Sequence, residues 1–179
     1  HVTFQLNGPG YAHALPPFDV VPEPELLDSM AQLTTQGVHI AGAGAINWAS
    51  FEKSCLELKV VAPERHLNHT SSVPRMSFWV RLRKRLDDNP ATHAAALTYL
   101  SDYWVNSAAI TYHVPAGQAH GKLYIASLNH ALWLHRDGRA DDWLLFSCES
   151  PSAQDGRALT NGRIYNRQGV LLASLAQEY

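Results

Sequence analysis

The 179 residues are 46% hydrophobic and 17% charged, a balance that excludes a disordered chain and suits one domain with a real core. The formal net charge of -2 excludes a general nucleic-acid binder, whose affinity for phosphates shows as a basic excess.

Residues 2–5 read as the end of a strand, and Pro9, Pro16, Pro17, Pro22 and Pro24 then deny regular structure to what reads as a linker. A short helix is expected over residues 25–33 and a glycine-rich loop over 37–44. From Cys55 the period becomes two, with Leu56, Leu58 and Val60 alternating with Glu57 and Lys59. Residues 76–83 repeat that pattern, placing Met76, Phe78, Val80 and Leu82 on one face. Asn89 can cap a helix and Pro90 fits its first turn; no glycine or proline interrupts residues 91–110, which predicts one continuous helix. Apolar residues lie on all its sides, as in a helix wrapped by other structure, except for a polar row of Thr98, Asp102 and Asn106. A long strand is expected over 122–135, a turn at Asp137-Gly138, then strands over 143–150, 158–166 and 170–178, with a turn ending at Gly169. One buried helix amid an antiparallel sheet is an α+β plan in which the sheet curls around the helix.

Asp102 is the residue most in need of explanation, because a carboxylate buried among apolar groups must be paired, protonated or employed. Its ordinary alternative is that the polar row faces water. On the long strand Ser127, Asn129 and His130 interrupt an apolar run, and strand parity puts Gln177 on the same face as Leu171, Ala173 and Leu175, toward the core. Each alone is more often a structural hydrogen-bonder; an acid on the helix with two neutral polar groups on core-facing strands can hold one water for hydrolysis. No metal site is expected: among ten histidines no pair has ligand spacing, and His130 and His135 point to opposite faces of their strand. No cofactor is expected either, since Gly42-Ala43-Gly44 lacks the strand, helix and third glycine of a dinucleotide fingerprint. Arg81, Arg83, Lys84 and Arg85 read as a solvated strand end, with a phosphate seat as the sharper reading. Cys55 and Cys148 read as buried free thiols, which favours a reducing compartment; with no signal peptide and no membrane-length apolar stretch, a cytoplasmic location without membrane contact is expected, and the sequon at Asn68 reads as chance.

Several segments in register then resemble one family. Residues 125–136 (Ile-Ala-Ser-Leu-Asn-His-Ala-Leu-Trp-Leu-His-Arg), Asp142-Trp143-Leu144-Leu145, residues 148–153, residues 169–174 and Ala176-Gln177-Glu178 are similar to the C-terminal half of acyl-CoA thioesterase II, the TesB type. Phe78-Trp79-Val80-Arg81, Leu100-Ser101-Asp102-Tyr103 and the proline-rich leader over 16–27 match the same family. The resemblance implies a hotdog fold, a curved antiparallel sheet around a long helix, and specifically the second half of a double hotdog. On that reading residues 1–44 are the end of a first-hotdog strand plus a linker, and 45–179 are the second hotdog domain. It also implies hydrolysis of fatty acyl-CoA to free acid and CoA, with Asp102 accepting a proton from a water that Ser127 and Gln177 position. The sequence identifies no oxyanion donor. Asn129 stands where the family usually has aspartate, and the family chain is about twice this length, so the chain reads as a fragment or as half of an assembly. A homo-oligomer, or pairing with a first-hotdog segment, is therefore expected. The alternatives are a non-catalytic acyl-CoA or acyl-group binding module and, third, a hotdog dehydratase using His130 beside its carboxylate.

Overall fold

The structure is a computed structural model that describes residues 1–4, 8–36, 39–40, 44–45, 47, 53 and 55–179. Its elements in chain order are a 3-10 turn at Pro24–Leu26, α1 Met30–Thr35, β1 His39–Ile40, β2 Gly44–Ala45, β3 Leu56–Val60, a π turn at Glu64–Asn68, β4 Arg75–Leu82, α2 Pro90–Ser101, α3 Ser107–His113, α4 Ala116–Lys122, β5 Asn129–Leu134, β6 Leu144–Gln154, β7 Arg157–Asn166 and β8 Leu171–Glu178. Six strands form one curved antiparallel sheet in the order β3-β4-β6-β7-β8-β5, and β1 pairs with β2 separately. The edges of the large sheet are thus β3 and β5.

Alternation in sequence becomes two faces. The inner face presents Leu56, Leu58, Val60, Met76, Phe78, Val80, Leu144, Phe146, Cys148, Ile164, Ala173 and Leu175 to Leu97, Leu100, Val105 and Ala108 from α2 to α3. Phe78 anchors this core, stacked on Phe146 at 5.0 Å between centroids and edge-on to Trp104 at 6.0 Å. The outer face of β4, β6 and β7 carries Trp79, Leu145 and Tyr165, joined by Trp143, against which Val21 and Leu27 of the proline-rich leader pack. That leader is fastened by its backbone. Trp79 donates to the Pro22 carbonyl at 3.0 Å, Tyr165 to the Leu15 carbonyl at 2.9 Å, Lys59 to the Pro24 carbonyl at 2.8 Å, and the Phe18 N–H donates to Ser147 Oγ at 3.0 Å. A proline-rich strap forms little regular structure and so leaves carbonyls open to side-chain donors, although Pro24's also accepts from the Leu27 N–H at 3.3 Å.

Turn chemistry sets the register. Asp155 and Gly156 both have positive φ, 53° and 73°, and form the two-residue connection between β6 and β7 that matches the twist of a hairpin. On α1, Ser29 and Gln32 exchange side-chain to backbone bonds at both ends of a capping box, a start signal lying inside the helix expected over 25–33.

Four expectations need correction. The helix predicted over 91–110 is broken: α2 ends at Ser101, Asp102 is its C-cap, and Trp104 adopts φ 64° before α3 begins. Without glycine or proline the break is tertiary in origin, since the left-handed turn, costing about 1 kcal/mol, lets Trp104 reach Phe78. The strand expected over 122–135 is shorter, because Lys122 ends α4 and bonding to β8 starts only with the Leu128 N–H, 2.8 Å from the Glu178 carbonyl, just before β5. Cys148 is buried and its thiol is pushed up to about 12 by burial, whereas Cys55 is exposed. Residues 2–4 form no strand, and Gln5 lies outside the described residues.

Candidate active site

The break after α2 decides where the acid goes. As the C-cap of α2, Asp102 is exposed rather than well buried as the continuous helix implied, so the cost of a buried charge is not what requires a partner for it. Partners are present nevertheless. Gln177 Nε2 donates to Asp102 Oδ1 at 2.5 Å and to Ser127 Oγ at 2.6 Å, and Ser127 Oγ donates to Asp102 Oδ1 at 3.3 Å. The structure therefore brings together three side chains separated in sequence by up to 75 residues.

Each is delivered by a different element. Gln177 is 2% exposed on β8, facing inward, and lies opposite Thr160 on β7 and His130 on β5. Ser127 comes from the extended segment just before β5 and is exposed. Of the remaining polar row, Thr98 donates to the Ala94 carbonyl one turn back, while Asn106 lies beyond the break and offers its carbonyl to the Tyr179 hydroxyl at 3.0 Å. Burial pushes the Tyr179 phenol up to about 12, so it stays protonated, donating to the Asn106 carbonyl and accepting from the Thr160 hydroxyl. Lys53 bonds the Tyr99 hydroxyl at 3.0 Å; that bond, and to a lesser degree the Asp102 charge, hold its proton more firmly than usual.

Other sequence candidates fall elsewhere. His130 turns inward, with Nδ1 3.0 Å from Gln177 Oε1, while His135 meets Ser174 Oγ at 2.9 Å. Asn129 donates to Glu178 at 2.7 Å. Arg81 is tied to Glu57 at 2.7 Å and lies over Trp143, and Arg85 pairs with Asp142 at 2.8 Å, so two members of the basic cluster are engaged by carboxylates. Asp141 collects Arg139 and the Leu86 N–H, and its carboxyl is held at about 2, against the opposing effect of burial, by those bonds. Among the described residues no three His, Cys, Asp or Glu side chains gather as a metal site, and no helix is long and apolar enough to cross a membrane. Sequence reasoning missed Ser101, the residue beside Asp102, whose hydroxyl is 2.9 Å from His130 Nε2; a lone serine at a helix end carries no signal of such a partner.

A cleft of about 370 Å³ is lined by Ala109, Ile110, Leu123, Ile125, Ala158 and Tyr179 among others, and not by the three side chains themselves. Ile125 lies two residues before Ser127 and Tyr179 two after Gln177.

Comparison with known proteins agrees with this architecture. Acyl-coenzyme A thioesterase 8 of Mus musculus is 32% identical over 164 residues, covering 91% of this chain and 50% of the mouse protein. The crystal structure of acyl-CoA thioesterase II TesB2 from Mycobacterium marinum superposes with a TM-score of 0.72 at 30% identity, covering 97% of this chain and 58% of that one. A hot dog fold protein from Alicyclobacillus acidocaldarius, at 16% identity and a TM-score of 0.63, shares the fold. The chain thus spans about half the length of the curated relatives it matches, and its hotdog sheet is one half of a double hotdog. A family model described as the acyl-CoA thioesterase C-terminal domain matches residues 15–179, and the chain belongs to that family.

Proposed function

We propose that the chain is the catalytic half of an acyl-CoA thioesterase in which Asp102 is the general base and Ser127 and Gln177 position the attacking water. The observation that carries the reading is the Gln177 amide, buried on β8, donating at once to Asp102 Oδ1 and Ser127 Oγ. In this reaction the water gives a proton to the Asp102 carboxylate as its oxygen bonds the thioester carbonyl carbon. The carbon–sulfur bond then breaks, and the proton passes from Asp102 to the departing CoA thiolate. In this reading the nucleophile is the water and not a side chain, so no acyl-enzyme is formed. The apolar cleft reaching from Ile125 to Tyr179 is the seat proposed for the acyl chain.

The reading extends to assembly. β5 is a sheet edge with exposed apolar residues on both sides, Leu128, Trp133 and Leu134, and unpaired edges of this kind seek a strand or a cover. We infer that a second hotdog, either another segment of a longer protein or a copy of this chain, seats against this region and completes the site.

The test is thiol release from a medium-chain acyl-CoA by the intact protein. Wild type should release thiol and free acid together, and Asp102→Asn should lower kcat by about a hundredfold or more while remaining folded, because the amide keeps the shape and loses the basic charge. Binding of acyl-CoA with the thioester intact would favour the non-catalytic module instead. A folded Asp102→Asn protein with wild-type turnover would remove Asp102 from the reaction.

A further inference from the structure

The amide of Gln177 has two ends, and only one of them suits its neighbours. Asp102 Oδ1 lies 2.5 Å from the atom that faces it; a carboxylate is an acceptor, so that atom must be the NH2. Turning the amide over would set Oε1 against the Asp102 carboxylate, two acceptors face to face; the Ser127 hydroxyl suits either end, so Asp102 decides the direction. With Nε2 committed to Asp102 and Ser127, Oε1 points to the other side, where His130 Nδ1 stands 3.0 Å away. Because Oε1 only accepts, Nδ1 must carry a proton. The other ring nitrogen, Nε2, is 2.9 Å from Ser101 Oγ, and that hydroxyl also reaches the Thr98 carbonyl at 2.7 Å. A hydroxyl has one proton: Ser101 accepts from Nε2–H while donating to Thr98, or turns its proton to a bare Nε2 and gives up the Thr98 carbonyl, and it holds the ring in both cases.

We propose that His130 is a positioning residue for the hydrolysis: its Nδ1–H fixes the direction of the Gln177 amide, and Ser101 fixes the ring. This rests on the reaction proposed above. The bonds close a loop from Asp102 through Gln177 and His130 to Ser101, which adjoins Asp102 in the chain, so the end of α2, β8 and β5 are tied into one unit. His130 lies directly opposite Gln177 in the β5–β8 ladder, a placement that costs nothing extra once the register is set. The ring is exposed at the sheet edge, so its replacement empties little core.

Two measurements on the intact protein test the assignment. Nitrogen-15 NMR of the His130 ring should find Nδ1 protonated throughout the range where the protein is folded and active; a neutral ring protonated at Nε2 alone would overturn the proposal. In the thiol-release assay, His130→Leu should lower kcat about tenfold with KM within about twofold, the loss expected when one orienting hydrogen bond goes. His130→Asn places an amide N–H near the former Nδ1 and should recover most of that loss. Equal activity of Leu and Asn variants, or a raised KM at unchanged kcat, would overturn positioning. Should His130→Leu not fold, the ring tautomer and the Asn variant decide alone: an active Asn variant with an Nδ1–H wild-type ring supports the role, and an Asn variant slowed tenfold opposes it. The Asp102→Asn control separates the two readings. If that protein is inactive while His130→Leu turns over normally, only the positioning role fails; if it turns over normally, the hydrolytic reading itself fails.

Discussion

On β4, β6 and β7 the outer aromatic residues Trp79 and Tyr165 are covered by the chain's own strap, whereas the β5 edge leaves Trp133 54% exposed, with Leu128 and Leu134 beside it. Both regions carry apolar side chains that the helices do not cover: Trp79 and Tyr165 on the outer face, and at the β5 edge Trp133 on one side with Leu128 and Leu134 on the other. In the first region they are covered within the chain, by a proline-rich strap in which the Pro22, Leu15 and Pro24 carbonyls receive Trp79, Tyr165 and Lys59. At β5 nothing in the described residues performs that service. The contrast separates a part of the sheet covered by a distant segment of the same chain from a part that no described residue covers, and the candidate site lies beside the second.

Substitutions can break or sharpen this contrast. The largest effect is expected at the covered face: Trp79→Ala should cost about 3–5 kcal/mol in chemical denaturation, since it removes a buried aromatic and the donor to the strap. A loss below about 1 kcal/mol would mean that the strap does not complete a second core. Next is pH. His66, in the π turn and 3.2 Å from Thr111 Oγ1 on α3, is pushed down to about 4 by burial. Its folded-state pKa is therefore depressed below the usual 6.5, so the stability it contributes is present above pH 6.5 and lost as pH falls toward 4. That loss amounts to about 3 kcal/mol at most, and His66→Gln should flatten the stability profile across that window. A profile of unchanged slope in the variant would assign the acid sensitivity to other groups. Smaller again, Tyr165→Phe should cost about 1 kcal/mol, as it keeps the ring and loses only the bond to the Leu15 carbonyl. The smallest effect on stability belongs to the open edge. Trp133→Gln should shift the unfolding of this chain by no more than about 0.5 kcal/mol, yet weaken association with a second hotdog in sedimentation. Unchanged association would move the proposed interface away from β5.

The sheet was legible because its signals are local and repeated. Alternation gave β3 and β4 to within a residue or two, and parity alone turned Gln177 inward. The helix over 91–110 was misjudged because its break has no local punctuation: Trp104 leaves the helix to pack on Phe78, a residue 26 positions away on another strand. That one turn also moved Asp102 from a supposed helix interior to an exposed cap. Asp155-Gly156 is a hairpin signal legible in the sequence, since both positions take the positive φ that Asp-Gly favours.

The amino-acid sequence by itself determined which residues alternate, where the strands turn, and which polar groups interrupt apolar runs, because hydrophobic period and turn chemistry act over a few residues. Only the tertiary structure decided which of those polar groups meet. The bonds among Asp102, Ser127, Gln177, His130 and Ser101 depend on the β5–β8 register and on the point where α2 stops, and both are set by packing between segments distant in the chain.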